Sequence, residues 1–240
     1  MEKTLSFAES EKAKFVTKTY AWMGLALLIS AISAFITAIS IFNGNTLSSF
    51  GMFLFGRGMI GFWIFAIAEI ILVFWLSASI RKISVGTATL AFILYSVING
   101  VTLSSIFVVY QLASIAVAFV STSVMFFAMA FYGATTKRNL MSWGKYLMMA
   151  LVGVIAVSLV EFILHFFVKT TILDFVLSIA SIIIFTALTA YDSQKIMKTA
   201  EHANGSDDYK KVSILAALEL YLDFINIFLN LLRLFGRRNS

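Results

Sequence analysis

The chain has 240 residues, of which 60% are hydrophobic and only 12% are charged. A soluble domain carries roughly twice that share of charged residues, so the composition excludes a water-soluble globular enzyme and predicts an all-α integral membrane protein. The net charge of +6 does not indicate a nucleic-acid-binding protein, because the Lys and Arg residues form short clusters between apolar runs and not a basic stripe. Without cysteine, the chain has neither disulfides nor thiolate metal sites.

Seven apolar segments follow one another along the chain, each long enough to cross a membrane. A helix needs about 20 apolar residues to cross the hydrocarbon core. Residues 1–19 are predicted to form a cytoplasmic N-terminal tail, 20–236 a seven-helix membrane domain and 237–240 a C-terminal tail. Since proline is absent, any break in a span must come from Gly, Ser or Thr. The predicted spans are Tyr20–Phe42, Ile60–Ile80, Val85–Val108, Ser114–Ala134, Tyr146–Phe167, Ile172–Ile196 and Ser213–Phe235.

The positively charged residues predict the orientation in the membrane. Loops and flanks on one side, the N-terminal tail included, hold thirteen Lys and Arg residues, and those on the other side hold two, Arg57 and Lys169. Because cytoplasmic loops carry the excess of positive charge, we expect a cytoplasmic N-terminus and, after seven spans, an external C-terminus, in the inner (plasma) membrane. Arg233, Arg237 and Arg238 contradict the rule at that end, which leaves open a re-entrant last segment with both termini in the cytoplasm.

The last span carries a polar stripe. Glu219, Asp223, Asn226 and Asn230 are spaced by 4, 3 and 4 residues, so they share one face of an α-helix. A helix with such a stripe does not suit the lipid boundary, and we expect it at the centre of the bundle. The two Asn residues suit a hydrogen-bonded packing seam, whereas a carboxylate in the middle of a span, as at Asp223, more often marks function.

Three further acidic candidates lie inside apolar spans, Asp192, Glu69 and Glu161, of which Glu161 lies near the outer end of the fifth span. Asp192 lies in the cytoplasmic half of the sixth span, with Thr189 and Ser181 near the same face, which suggests a polar seam. The alternative for Asp192 is an interfacial residue near water. Glu69 lies near the middle of the second span and has no obvious partner on its own helix.

The aspartates of the last two spans predict a pH-dependent cation site. Two carboxylates brought close together in a dry bundle cannot both ionise cheaply, so they share a proton. When deprotonated, they offer the hard oxygen ligands that Ca²⁺ takes. Asp192 and Asp223 can meet if the seventh helix starts below the membrane plane or the sixth runs past Ile196, because Asp223 lies about two turns deeper when both helices are counted from their cytoplasmic ends.

The end of the chain resembles a known membrane family. The segment LYLDFINIFLNLLRLFG at Leu220–Gly236, together with Ala190-Tyr191-Asp192 one helix earlier, resembles the Bax-inhibitor family (the transmembrane Bax inhibitor motif proteins), and its bacterial branch in particular. The likeness extends through Glu69 and the Val85-Gly86 pair. It implies a seven-helix fold with a central last helix, a pH-sensitive calcium leak, and the suppression of cell death or stress signalling.

The resemblance also implies site residues. The family's two aspartates, on the sixth and seventh helices, fall on Asp192 and Asp223 and form the proton and calcium pair, and its acidic position on the second helix falls on Glu69. Family members can hold the aspartate pair with an arginine at the cytoplasmic end of the second helix. Ile80 stands at that position here, and Arg81 beside it could act from about 100° round the helix. The remaining candidate supporting residues are Glu219, Asn226 and Asn230.

Other functions stay open beside the ion leak. The chain could be a membrane interaction protein that modulates a partner such as a membrane-bound quality-control protease. An enzyme is disfavoured, because Asp223 follows Leu220-Tyr221-Leu222 and not the Gly-x-Gly run of an intramembrane aspartyl protease, and neither H-E-x-x-H nor G-x-S-x-G occurs. We expect no cofactor, Ca²⁺ as the transported ion, and the lipid bilayer, protons and a membrane protein as partners, without nucleic acid.

Overall fold

The computed structural model describes residues 2–44, 46–164 and 171–239, with the side chains of residues 2–8 and of Arg57 left out. The predicted end of the fifth span at Phe167, and Lys169 after it, lie outside the described residues. Within these ranges the chain is almost entirely helical. The elements are α1 (Glu2–Ile41), β1 (Phe42–Asn43), β2 (Thr46–Leu47), α2 (Ser49–Phe55), α3 (Ile60–Ser79), α4 (Val85–Leu103), α5 (Ser105–Val109), α6 (Leu112–Thr135), α7 (Gly144–Leu164), α8 (Thr171–Ala200) and α9 (Asp207–Phe235).

The seven predicted spans are confirmed over the described residues. Seven helical segments are long and apolar enough to cross a membrane, with α4 and α5 together forming the third. The observed helices extend further than predicted at the charged ends: α1 begins at Glu2, α8 runs to Ala200 and α9 begins at Asp207. Glu, Lys and Ala are strong helix formers, so these segments stay helical where the apolar run ends. At 29 residues, α9 is about 43 Å long, which favours a full seventh span.

The third span is interrupted at Ser104, where hydroxyl groups compete for the backbone. The side chains of Thr102, Ser104 and Ser105 each donate a hydrogen bond to the carbonyl three residues earlier, at 2.9, 2.6 and 2.8 Å. Such bonds draw carbonyls away from the regular helical pattern and bend or break a helix. The break therefore comes from Ser and Thr, as the absence of proline predicted.

The connection between the first two spans contains a short hairpin and a short helix. β1 and β2 pair in antiparallel fashion, Phe42 with Leu47 and Asn43 with Thr46. The turn between them includes Gly44 at a φ of 62°, a conformation that favours glycine. Ser48 then caps α2, since its hydroxyl accepts a hydrogen bond from the Gly51 N–H at 2.9 Å.

The described chain divides into two compact units. The first comprises the residues up to Tyr110, Ala203–Tyr221 and Asn239, and the second comprises Gln111–His202 and Leu222–Arg238. In the first unit, α4 packs against both α1 and α3. A Cβ atom on Gly100 would lie 2.5 Å from the Ser30 carbonyl oxygen, so a glycine is needed for α1 and α4 to approach this closely.

In the second unit, α8 packs against both α6 and α7. Gly133 of α6 faces the backbone of Ala190 on α8, and an added Cβ atom would clash there. The ring of Phe224 on α9 packs edge-on against Phe119 and Phe126 of α6, with centroids 5.5 and 5.6 Å apart. The last helix is the most enclosed of the seven spans: 67% of its most apolar stretch is buried, against at most 44% in the others. This is the burial expected of a central helix.

Candidate functional site

The two aspartates that the sequence predicts as a pair are both buried. Asp192 is 7% exposed and Asp223 is 4% exposed, on α8 and α9 within the second unit. Asp192 is therefore shielded from open water by the protein, and its depth relative to the membrane interface stays a prediction. Both helix extensions that we named for the pairing are present, since α8 continues four residues past Ile196 and α9 begins six residues before Ser213. The pairing of the two carboxyl groups stays a prediction.

A buried polar face runs along α8. At about 100° per residue, its members fall within about 120° of the helix circumference, and the predicted seam residues Ser181 and Thr189 are among them. The Thr189 hydroxyl donates to the Phe185 carbonyl one turn earlier, at 2.9 Å. Asp192 thus continues a line of buried hydroxyl groups on α8, and a polar seam that runs on toward the seventh helix stays a prediction. The buried polar members are Ser178, Ser181, Thr189, Asp192 and Ser193.

Gln194, which the sequence analysis did not single out, fixes the loop between α6 and α7. The Leu140 N–H donates to Gln194 Oε1 at 2.8 Å, and Gln194 Nε2 donates to the Arg138 carbonyl at 2.8 Å. One turn further along α8, Lys198 Nζ donates to Asn139 Oδ1 at 2.9 Å. The loop is therefore held against α8. The sequence feature that could have indicated this contact is Gln194 itself, an amide that follows Asp192 at the end of the sixth apolar span.

The polar stripe of α9 is only partly buried. Asp223 and Asn230 are buried, whereas Glu219 and Asn226 are half-buried. Asn226 Nδ2 donates to the Leu222 carbonyl and Asn230 Nδ2 to the Asn226 carbonyl, both at 2.8 Å. These bonds run one turn back within α9, so the amide NH₂ groups are satisfied locally. Within the described part of the chain, the Oδ1 atoms of both Asn residues accept no hydrogen bond, which leaves them available as oxygen ligands.

Glu69 has partners that its own helix does not supply. From α4, Asn99 Nδ2 donates to Glu69 Oε2 at 2.9 Å, and the Thr102 hydroxyl oxygen lies 2.5 Å from Glu69 Oε1. Asn99 and Thr102 lie 30 and 33 residues further along the sequence, beyond the loop that joins α3 to α4. Sequence reasoning missed them because the register of two neighbouring helices is not visible in a single sequence. The available signal was an amide, Asn99, inside an apolar span.

The Glu69 cluster extends to α9 and α1 through Tyr221. The Tyr221 hydroxyl donates to Asn99 Oδ1 at 2.6 Å and lies 2.7 Å from the Ser30 hydroxyl, which donates to the Ser96 carbonyl at 2.7 Å. The Tyr95 ring packs edge-on against the Tyr221 ring, with centroids 5.8 Å apart. Polar contacts within the first unit thus join four helices around the half-buried carboxyl group of Glu69. Because Tyr221 and Ser30 each have one hydroxyl hydrogen and both are already donated, no hydrogen remains for the contact between these two hydroxyl groups.

The hydrogen count at Thr102 shows that the Glu69 cluster can hold a proton. Thr102 has one hydroxyl hydrogen but lies close to two acceptors, Glu69 Oε1 at 2.5 Å and the Asn99 carbonyl at 2.9 Å. If Glu69 carries a proton, it donates to Thr102, and Thr102 donates to Asn99. Both contacts are then satisfied without a counter-charge.

Comparison with known proteins gives the chain its family. The family model described as "Inhibitor of apoptosis-promoting Bax1" matches residues 12–240. The chain belongs to the Bax-inhibitor family. Its seven apolar helices and this match together identify it as a multi-pass membrane protein.

Several relatives match the chain over most of its length. The inner membrane protein YbhL of Escherichia coli (strain K12) is 44% identical over 226 residues, which is 93% of this chain and 92% of YbhL. A Borreliella burgdorferi protein titled "Uncharacterized protein" is 40% identical over 235 residues, 95% of this chain and 94% of its own length. A membrane protein of Streptococcus pyogenes serotype M1 is 36% identical over 228 residues, 94% and 93% of the two chains.

At the end of the second span, where the Bax-inhibitor resemblance implies an arginine, the backbone contacts a lysine of the last helix. The Arg81 side chain is exposed, and its carbonyl accepts a hydrogen bond from Lys211 Nζ at 3.3 Å. Lys211 also pairs with Asp208 at 2.9 Å. A cation at the C-terminal end of α3 is favoured by the helix dipole. The role of Arg81 in holding the aspartates stays a prediction.

The Bax-inhibitor chain shows no dense metal-binding cluster in the part that the structure describes. No three His, Asp or Glu side chains there lie close enough together to hold a metal ion. A calcium ion at Asp192 and Asp223 would therefore complete its shell of six to eight oxygen ligands with amide, hydroxyl, carbonyl or water oxygens.

Proposed function

We propose that this member of the Bax-inhibitor family is a pH-sensitive cation leak channel, that Ca²⁺ is the ion transported, and that protonation of Asp192 and Asp223 gates it. Its cellular role in this proposal is in stress or cell-death regulation. The observation that carries the proposal is the burial of both carboxyl groups, at 7% and 4% exposure, on consecutive membrane helices.

The cost of these carboxyl groups supports a functional role. A carboxylate in the middle of a span costs roughly 2.5–3.5 kcal/mol on insertion scales, and the chain carries two on its last two helices. Deprotonated, the pair attracts a divalent cation. When protonated, the aspartate pair loses its negative charge and its oxygen atoms bind Ca²⁺ less well. Because a rise in pH removes these protons, we expect the calcium flux to rise with pH.

The inner membrane is the proposed location. The relative YbhL is named an inner membrane protein, and the distribution of Lys and Arg supports a cytoplasmic N-terminus. In that orientation the leak lets external cations enter the cytoplasm.

The experiment that tests the leak uses purified protein in liposomes that contain a calcium-sensitive dye. We expect calcium entry above that of empty liposomes, with a rate that depends on pH. Asp207→Asn serves as a control, because it removes one negative charge at an exposed position whose carboxylate pairs only locally, with Lys210 at 2.9 Å. Its flux should equal that of the unmodified protein. Flux indistinguishable from empty liposomes at every pH would refute the proposal.

A second function, modulation of a membrane partner such as a quality-control protease, is favoured by the fixed loop between α6 and α7. Gln194 and Lys198 hold this loop against α8, while Lys137 and Arg138 are exposed on it. An ordered basic loop suits a protein partner. This function predicts a phenotype that survives both Asp→Asn substitutions but is lost in Gln194→Ala, together with a partner that co-purifies after crosslinking.

A further inference from the structure

A groove in the second unit lies between the first turns of α6 and the last turns of α9. Its volume is about 390 Å³. The walls are mainly apolar, and the polar groups lie where α9 ends. The apolar lining includes Val117, Ala118, Leu231 and Phe235, and the polar lining includes Gln111, Ser114 and Arg237.

The backbone that follows α9 is fixed beside this groove. The Gln111 N–H donates to the Arg237 carbonyl at 2.9 Å, and the Arg237 N–H donates to the Ser114 hydroxyl at 3.0 Å. Two hydrogen bonds thus hold Arg237 against the start of α6. The cation at the groove is therefore placed by the fold and is not part of a loose tail.

Three arginines lie at this end of α9 without an ion pair. Arg233, Arg237 and Arg238 are all exposed, and none of them makes a salt bridge within the described residues. Asp223, three turns earlier, is the only acidic residue from Leu222 to the C-terminus. Among the described residues, this end of the second unit therefore carries positive charge that no acidic side chain pairs with.

We propose that this groove binds one anionic phospholipid. Its phosphate pairs with Arg237 and Arg238, and one acyl chain lies along Val117, Leu231 and Phe235. The position fits, because the groove lies at the ends of two membrane-spanning helices, the depth at which lipid headgroups meet acyl chains. Basic pockets between membrane helices are typical sites for anionic headgroups. A free phosphate would leave the apolar walls unused, so we commit to the lipid as the occupant. The site involves neither Asp192 nor Asp223 and is independent of the ion leak.

The experiment measures lipid retained by the purified protein, with phosphatidylglycerol and phosphatidylcholine of the same acyl chains as probes in native mass spectrometry. We expect one phosphatidylglycerol per chain and little phosphatidylcholine. The double variant Arg237→Gln/Arg238→Gln should weaken phosphatidylglycerol binding by roughly fivefold for each arginine, or about 25-fold. Lys137→Gln/Arg138→Gln removes the same charge at another loop and should bind as the unmodified protein does.

Two further variants keep the test decisive if the arginine variant folds poorly. Arg237→Lys/Arg238→Lys keeps the charge and should retain the lipid, and Ser121→Leu, at a lining position, narrows the groove and should reduce binding without any change of charge. Three results would each overturn the proposal. The protein could retain the two lipids equally, or the Lys137/Arg138 control could lose as much phosphatidylglycerol as the Arg237/Arg238 variant. Millimolar inorganic phosphate could also displace the lipid from every variant.

Discussion

At the scale of single residues, the clearest finding is the carboxyl group of Glu69. Two donors from α4, Asn99 and Thr102, occupy one oxygen each, and Tyr221 fixes the orientation of the Asn99 amide. A half-buried carboxyl group held in this way costs little, whereas its removal leaves the Asn99 amide without an acceptor. The cluster is therefore sensitive to the shape and hydrogen bonding of residue 69 more than to its charge.

This view predicts opposite outcomes for two substitutions. Glu69→Gln keeps one acceptor for Asn99 and supplies an N–H donor to Thr102, so we expect a melting temperature within a few degrees of the unmodified protein. Glu69→Ala removes the acceptor of Asn99 Nδ2, at a cost of about 1–3 kcal/mol, while the Thr102 hydroxyl can still donate to the Asn99 carbonyl, and the variant should melt clearly lower. Thermal unfolding of the purified protein in one detergent compares them. A Gln variant as unstable as the Ala variant would show that the charge itself holds the cluster.

At the scale of helices, two neighbours in the second unit approach at a glycine. Gly133 faces the Ala190 backbone with no room for a Cβ atom, whereas Gly153 on α7 has no atom within 4 Å of that position. We expect Gly133→Ala to force α6 and α8 apart and to lower the melting temperature. Gly153→Ala should leave it unchanged or raise it, because alanine is favoured over glycine in a helix by about 0.5–1 kcal/mol. Thermal unfolding in the same detergent compares the two variants. Equal changes in melting temperature for Gly133→Ala and Gly153→Ala would contradict the close packing of α6 against α8.

The helices themselves were largely predictable from the sequence because lipid imposes a simple rule of length and apolarity. The second span was predicted as Ile60–Ile80 and is observed as Ile60–Ser79. The start of α1 at Glu2 does not follow from this rule, because the N-terminal segment is charged. A charged segment in water can form either a helix or an irregular tail. The partners of Glu69 were also missed, because they depend on the register between helices that are distant in the sequence. The burial of Asp223 follows from the central position expected of α9, whose polar stripe repeats with the period of a helix, whereas the sequence left the position of Asp192 open.

At the scale of the whole molecule, we predict seven full spans and therefore termini on opposite sides of the membrane. We expect alkaline phosphatase fused after Asn239 to be active, as it is only outside the cytoplasm, and green fluorescent protein fused there to stay dark. A fluorescent protein inserted after Arg138 should fluoresce. A fluorescent C-terminal fusion would instead support the re-entrant alternative with both ends in the cytoplasm.

The central claim is that the two buried aspartates sense pH and gate a cation pathway, and the dependence of calcium flux on pH tests it most directly. In liposomes of one composition, flux through the unmodified protein should rise as pH rises. Asp192→Asn and Asp223→Asn, which cannot lose a proton at the substituted position, should each flatten that curve, and the double variant should flatten it no more than the stronger single variant, because the two groups act as a unit. Curves for both variants that coincide with that of the unmodified protein would contradict the account.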